Sequence, residues 1–294
     1  MKVKKVNLKL TRLLTRLLLR LLLVINLLMV SSAGISPALP LFEGRAEGAC
    51  STGLGRCSVL VPDAGFSGMN NPARAGEQNM LTASAYTSRP FSVPDLLLGS
   101  LWVSSGWMNG GFGAGLSLFG NEVYREEKLS AAFCRRSKNF SCGASLALNR
   151  VVIEGLGRKS FGSLTLGLLY RTGTAQSVRL GGVIRDIVRF GDPIKEEVRP
   201  EGAASISLFT PSTGTLLILE LRGSSRYPVA VSMGVEFRLW ESLRIRMGTG
   251  RNPSLYSVGL GVKISFLSID LGVEEHNVLG QTRSVSITFT PSSI

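Results

Sequence analysis

From about residue 80 onward the chain repeats one pattern, in which roughly ten residues alternate apolar with polar or small side chains before a turn. In the last such stretch Val285, Ile287 and Phe289 alternate with serine and threonine. Because strand side chains point alternately to opposite faces, each segment has one apolar face and one polar face. The pattern predicts an all-β fold, a transmembrane antiparallel up-and-down β-barrel with lipid outside and a polar interior.

Turn residues such as Pro90, Asn109-Gly110 and Asn252-Pro253 separate about fourteen strand candidates. An even number is expected for a single-chain bacterial barrel. The candidates are 80–89, 95–104, 111–120, 128–136, 140–150, 160–171, 176–186, 202–210, 214–223, 229–239, 242–249, 255–265, 266–274 and 282–290.

Charged residues on several of these candidates share one of the two strand faces. An Arg or Lys on the lipid face near mid-membrane costs about 2–4 kcal/mol, so these charges are predicted to face the lumen. Paired with one another, they would form a salt-bridge network that holds a narrow barrel shut. Unpaired, the excess of arginine would favour an anionic cargo such as a carboxylate-headed lipid. The predicted lumen-facing charges are Glu220, Arg222, Glu236, Arg238, Arg244, Arg246, Lys263 and Asp270.

A secretory signal peptide is predicted over residues 1–33. A basic start is followed by an apolar run over 21–30 and by the small residues Ser31 and Ala33. A permanent membrane anchor is the alternative, but the run is short and contains Asn26. Export followed by cleavage would deliver the barrel to the outer membrane of a Gram-negative cell. Its expected partners there are outer-membrane lipid and the outer-membrane assembly machinery.

The formal charge of +13 does not indicate a nucleic-acid-binding protein. Seven of the basic residues lie in the first twenty positions, and the others are spread along the chain among acids. No patch combines Lys or Arg with aromatic residues in the way that nucleic-acid surfaces do. We therefore expect no nucleic-acid partner.

Four cysteines would enter an oxidising compartment after export and could pair there. A tight turn between Cys134 and Cys142 would place them opposite each other across a hairpin, and Cys50 and Cys57 could close a second small loop. Zinc is the alternative, but spacings of seven or eight residues without a nearby His argue against it. Two structural disulfides are predicted.

Residues 34–79 differ from the rest because they are rich in Gly, Pro, Ala and Asn and alternate only weakly. We interpret them as a plug-like segment that precedes a barrel domain over 80–294. Within them, residues 63–73 end in Asn70-Asn71-Pro72-Ala73.

This Asn-Pro-Ala sequence resembles the signature that follows the N-terminal segment in FadL-like outer-membrane barrels, especially those of the PorV/PorQ branch. Residues 234–237, 243–248, 251–253, 257–261 and 270–280 are similar in the same order. The resemblance implies a fourteen-stranded barrel with an N-terminal plug. It also implies either transport of hydrophobic solutes such as long-chain fatty acids or, in the PorV branch, binding of exported proteins in a secretion system.

No catalytic, metal-binding or cofactor-binding constellation is evident in the sequence. The single histidine, His276, is predicted beside a turn, where a solvated rim residue is expected. A barrel lipid hydrolase that pairs His276 with an unknown serine is a remote alternative. The sequence thus predicts a non-enzymatic outer-membrane barrel that transports hydrophobic or amphipathic solutes. The alternative is a PorV-like, secretion-associated barrel that binds exported proteins.

Overall fold

The computed structural model of the protein describes residues 47–172, 177–191, 200–224 and 228–291. The predicted signal peptide, residues 1–33, and the first part of the predicted plug-like segment, residues 34–46, lie outside the described residues. The described chain begins with short helices and continues as strands.

Fourteen antiparallel strands form a closed barrel, in which each strand pairs with its neighbours in sequence and the last pairs with the first. The predicted fold class and strand number are therefore confirmed. The strands are β1 Thr82–Arg89, β2 Leu97–Trp107, β3 Gly110–Gly120, β4 Tyr124–Ser137, β5 Phe140–Ile153, β6 Gly157–Arg171, β7 Ser177–Gly191, β8 Glu201–Thr210, β9 Thr215–Ser224, β10 Ala230–Arg238, β11 Leu243–Arg251, β12 Leu255–Ile264, β13 Leu267–His276 and β14 Gly280–Phe289.

Helical structure in the described chain consists of α1 (Ala49–Gly53), α2 (Ser67–Asn70) and two 3₁₀ turns, Pro72–Arg74 and Pro90–Ser92. None of the described helices is both long enough and apolar enough to cross a membrane.

The barrel has two rims, which we name by the chain ends. The terminal rim contains the start of β1, the end of β14 and the turn between β4 and β5; the distal rim contains the turns between β3 and β4 and between β13 and β14. Turns of two residues occur at the terminal rim, and turns of three residues at the distal rim. Turns this short keep adjacent strands in register as hairpins.

The wall has the two faces that the alternation predicts. On β5, Leu146 and Leu148 are 57% and 51% exposed on the outer face, whereas Ala147 and Asn149 are buried on the inner face. The same alternation recurs on β14, where serine and threonine point inward. An apolar exterior of this kind suits contact with lipid.

The predicted disulfide between Cys134 and Cys142 is wrong. The register pairs Cys134 with Gly143 and Cys142 with Arg135, so the two thiols are offset by one residue and point to opposite faces. Cys134 is buried inside and donates to the carbonyl of Ala75 at 3.0 Å, whereas Cys142 is exposed outside. Side chains on opposite faces of a hairpin cannot meet the geometry of a disulfide.

The predicted bridge between Cys50 and Cys57 is also not formed. Both residues are free thiols, fully buried in one apolar cluster with Leu54, Val61 and Ile218. Unpaired cysteine often behaves as a small hydrophobic residue in this way. The two thiols therefore contribute apolar packing inside the barrel.

Depth in the wall should decide the effect of a charge on the outer face of β5. Leu146 lies near the middle of the strand and Phe140 begins it at the terminal rim. We expect Leu146→Arg to destabilise the folded barrel by about 2–4 kcal/mol, and Phe140→Arg by about 0–1 kcal/mol, because a charge near the rim still reaches water. Denaturant unfolding in lipid vesicles measures both. Equal losses for the two variants would contradict the assignment of this face to the bilayer interior.

Candidate functional site

Residues 47–79 lie inside the barrel, and we call them the plug. Most of their side chains are buried against the inner face of the wall. The plug approaches the wall at inward-facing glycines: a Cβ added at Gly259 would stand 3.0 Å from the Cα of Gly53, and one added at Gly234 would stand 2.8 Å from the Cβ of Leu54. Contacts this close leave no room for a side chain on the wall, so the glycines create space for the plug.

The Asn-Pro-Ala signature anchors the middle of the plug. The side chain of Asn71 accepts from the amide of Ala73 at 3.1 Å and thereby caps the 3₁₀ turn that begins at Pro72. It also donates to the carbonyl of Leu168 on β6 at 3.3 Å. Proline at the first helical position and asparagine before it are the residues that such a turn favours. The signature therefore has a structural role, which is to attach the plug to the wall.

Asn70, the first residue of the signature, closes the plug on itself. It accepts from the amide of Glu47 at 3.0 Å and donates to the carbonyl of Glu47 at 2.8 Å. The carboxylate of Glu47 accepts from Ser100 at 2.6 Å and from Ser117 at 2.9 Å, both on the inner wall. The start of the plug is thus tied to β2 and β3.

Glu220, near the middle of β9, holds the plug. Its carboxylate accepts from the amides of Ser58 and Val59 at 2.8 and 2.9 Å and from the hydroxyl of Ser58 at 2.9 Å. Arg222 on the same strand approaches Glu220 at 2.8 Å and donates to the carbonyl of Arg56 at 3.0 Å. A carboxylate that accepts two backbone amides and a hydroxyl is a strong anchor.

Two more charged contacts at this level were not predicted from the sequence. Arg56 of the plug donates to Glu274 on β13 at 2.7 Å. Arg185 on β7 donates to the carbonyl of Asn70 at 3.0 Å and to Glu201 at 2.7 Å. Arg185 and Glu274 were not among the predicted lumen-facing charges, and their plug partners are more than a hundred residues away in sequence.

Near the terminal rim one plug carboxylate attracts three arginines. Glu77 lies 2.7 Å from Arg74 of the plug, 3.0 Å from Arg171 on β6 and 3.2 Å from Arg179 on β7. Burial alone would raise the pKa of Glu77, but the three guanidinium groups outweigh it and lower that pKa to about 2. Glu77 therefore stays charged and joins the plug to two strands.

The predicted lumen-facing charges on β10, β11 and β13 form a cluster within the wall. Arg246, 1% exposed, lies 2.7 Å from Glu236 and also contacts Asp270, while Arg244 is 3.9 Å from Glu236. These contacts join the wall strands β10, β11 and β13 to one another, in contrast to the contacts of Glu220 and Glu77.

The remaining two predicted charges lie at the terminal rim. Arg238 is exposed and stacks over the ring of Phe209 with 5.5 Å to its centroid, and Lys263 is exposed near the end of β12.

Asp63 is a plug carboxylate with fewer hydrogen-bond donors than Glu220. Its Oδ1 accepts from the amides of Gly65 and Phe66 at 2.7 and 3.4 Å, whereas its Oδ2 is buried without a hydrogen-bond donor in the described structure. Burial, with a smaller contribution from nearby Asp270, raises the pKa of Asp63 to about 6. This carboxylate therefore carries a fractional proton at mildly acidic pH.

His276 is 4% exposed rather than solvated as predicted, and it has a structural role at the distal rim. Its Nδ1 accepts from the amides of Val278 and Leu279, both at 3.1 Å, and its ring packs edge-on against Phe91. These contacts fix the turn between β13 and β14. Over the described ranges, no group of three or more His, Cys, Asp or Glu is arranged to hold a metal ion.

No protein-family model and no curated protein matches the sequence. Solved structures share the fold. The toluene transporter TbuX of Ralstonia pickettii aligns with a TM-score of 0.63 at 10% identity, over 86% of this chain and 100% of that chain. A FadL homologue of Pseudomonas aeruginosa aligns with a TM-score of 0.65 at 9% identity, over 86% of this chain and 100% of that chain. The toluene transporter TodX of P. putida aligns with a TM-score of 0.57 at 12% identity, over 85% of this chain and 99% of that chain.

The chain therefore has the fold of the FadL-type outer-membrane barrels.

The glycines that face the plug should tolerate no side chain. A Cβ at Gly143 would stand 2.4 Å from the backbone of Pro72, a distance that requires the plug to shift. We expect Gly143→Ala to destabilise the folded protein by about 1–3 kcal/mol, as overpacking does in well-packed cores.

Gly202 on β8 is the matched control, because an added Cβ there has no atom within 4 Å. Gly202→Ala should leave stability nearly unchanged in the same thermal or denaturant unfolding measurement. If the two alanine variants lose equal stability, the plug does not press against β5 as described.

Proposed function

We propose that the protein is an outer-membrane barrel that carries small hydrophobic or amphipathic solutes, and that the plug is its gate. One observation carries this proposal: the wall closes without the plug. Every strand of the barrel pairs with two other wall strands, and residues 47–79 contribute no strand. The plug can therefore move in the lumen while every backbone ladder of the wall stays intact.

The contacts of the plug also suit a gate. Many of them converge on a few carboxylates, of which Glu220 lies near the middle of β9 and Glu77 near the terminal rim. Breaking these contacts exposes charged groups to the lumen, where water can replace the lost partners. Breaking them there is therefore far less costly than breaking the same contacts in lipid. Weakening the contacts at either level therefore raises the fraction of barrels in which the plug has moved and a passage is open.

The outer membrane is the location that we infer, with outer-membrane lipid as the surrounding medium. The apolar outer face, the predicted signal peptide and the fold shared with TbuX and TodX support it. Both of those proteins are described as toluene transporters, which favours hydrophobic solutes as the cargo class. A non-enzymatic role agrees with the structural contacts of His276.

Removing one plug anchor should open the gate. Glu220→Gln weakens three hydrogen bonds to the plug and the ion pair with Arg222, which destabilises the closed state by about 1–3 kcal/mol. We expect a roughly tenfold higher ion current across a planar bilayer and faster uptake of a fatty acid into reconstituted vesicles. Glu77→Gln should act in the same direction.

Glu236→Gln is the control, because Glu236 joins wall strands to one another through Arg246 and Arg244. It should lower stability without raising current or uptake. If the anchor variants raise the current but neither they nor the wild type take up a fatty acid, the plug is a gate and the proposed cargo class is wrong. If the anchor variants leave the current unchanged, the gate is wrong.

A second candidate function is a PorV-like role in which the barrel binds exported proteins. The filled lumen favours it, since a permanently closed barrel can serve as a membrane-embedded docking protein without transporting anything. The Asn-Pro-Ala resemblance supports the same branch. A pull-down from the native host, with the barrel in mild detergent, should then recover exported or secretion-machinery proteins; recovery of neither class would argue against this role.

A further inference from the structure

The outer face carries a feature that solute transport does not use. An apolar groove of about 300 Å³ runs along the outside of the seam where β14 meets β1 and continues over β2 and β3. Its floor is made of the small residues Ala85, Thr87 and Gly99. Its sides are leucines of β2 and β3 and, across the seam, Val285 and Ile287 of β14. A Cβ added at Gly99 would meet no atom within 4 Å, so the floor is open to the exterior.

Two arginines stand at the end of this groove. Arg89 on β1 and Arg283 on β14 are direct cross-strand partners at the distal rim, and both are exposed. They lie two residues beyond Thr87 and Val285, which are themselves a cross-strand pair, so all four share the outward face. The guanidinium groups therefore lie over the distal end of the groove.

Like charges placed directly opposite each other in a sheet destabilise it unless an anion lies between them. Farther round the wall the protein supplies such an anion: Glu127 lies 2.9 Å from Arg125 and 3.4 Å from Arg150. At the seam the described structure supplies none. Arg283 donates to the neutral Gln281 at 2.6 Å, and the described residues contain no ion pair to Arg89 or Arg283.

The outward acid Glu275 on the adjacent strand is a diagonal neighbour of Arg283, but the two form no ion pair in the described structure. Glu275 on β13 is the cross-strand partner of Gln281, whereas Arg283 faces Val273. A pair of uncompensated guanidinium groups at membrane headgroup level matches a phosphate, which accepts paired hydrogen bonds from arginine. Basic sites of this kind on membrane proteins bind lipid headgroups.

We propose that this seam binds an anionic phospholipid, with its phosphate between Arg89 and Arg283 and one acyl chain in the groove. The occupant is a lipid because the charged pair and the apolar groove adjoin on a surface that faces the bilayer, and one molecule with a phosphate head and a hydrocarbon tail satisfies both. The bound lipid places a negative charge between the two guanidinium groups, which reduces their repulsion, and covers the strand pair that closes the barrel.

Native mass spectrometry of the purified barrel with added phosphatidylglycerol or phosphatidylcholine tests the proposal. The wild type should retain phosphatidylglycerol in preference to phosphatidylcholine. Arg89→Gln/Arg283→Gln should weaken phosphatidylglycerol binding about tenfold or more, because each basic residue contributes to attraction of an anionic headgroup. Gly99→Leu should weaken binding of both lipids, because its side chain extends into the groove from a position where an added Cβ meets no atom within 4 Å.

Two matched controls isolate the site. Arg251→Gln removes another exposed arginine at the distal rim that faces Val231 across the strand pair, and Gly202→Leu adds a side chain at another open glycine. Both should bind phosphatidylglycerol as the wild type does. A shift in gel mobility between heated and unheated samples confirms that each variant has folded.

Equal phosphatidylglycerol binding by the wild type and the double arginine variant would overturn the proposal. It would also be overturned if Arg251→Gln lost as much phosphatidylglycerol binding as the double variant, because overall charge would then explain the attraction. If inorganic phosphate displaces the lipid and Gly99→Leu has no effect, the arginines bind free phosphate and the groove holds no acyl chain, which also contradicts it. None of these outcomes depends on whether the barrel transports a solute.

Discussion

The pairing of β14 with β1 is the interaction on which the rest of the structure depends. In lipid an unpaired backbone group costs several kcal/mol, and an open sheet would expose two edges of such groups. Closure satisfies them all within the wall. The wall then needs nothing from the plug, and the plug can be attached by side chains alone. This division separates a part that must stay intact from a part that can move.

The inner face is adapted to hold the plug. Where the plug crosses the wall closely, the wall carries glycine, as at Gly143, Gly234 and Gly259. Where it does not, serine, threonine and charged residues supply hydrogen bonds to plug backbone or to each other. The charges come in neutralising groups, as with Arg246 between Glu236 and Asp270, because an uncompensated buried charge would destabilise the structure strongly. Volume and charge are thus matched at each level of the lumen.

Local patterns in the sequence were sufficient to predict the wall. They could not predict the contacts of the plug, because those contacts join residues that lie far apart in the sequence. Strand number and most boundaries follow from alternation, but β4 begins at Tyr124 rather than 128 and β7 continues to Gly191 rather than 186. At the distal ends of β4 to β6, charges such as Arg125 and Lys159 interrupt the apolar pattern. The strands continue through these charged residues, so the predicted boundaries fall short there. The disulfide between Cys134 and Cys142 failed because a shift of one residue reverses the face of a side chain. Partners of the plug, such as Arg56 with Glu274, are separated by more than two hundred residues, and no local pattern specifies them.

The different surroundings of wall and plug give their hydrogen bonds different consequences. A ladder bond broken in the wall leaves an amide facing lipid, with no other partner to accept it. A contact broken between Glu220 and the plug leaves a carboxylate facing the lumen, where water can replace the lost donors at small net cost. Similar hydrogen bonds are therefore nearly permanent in one place and exchangeable in the other. A barrel built in this way can release its plug long before its wall unfolds, which is the property that a gated passage requires.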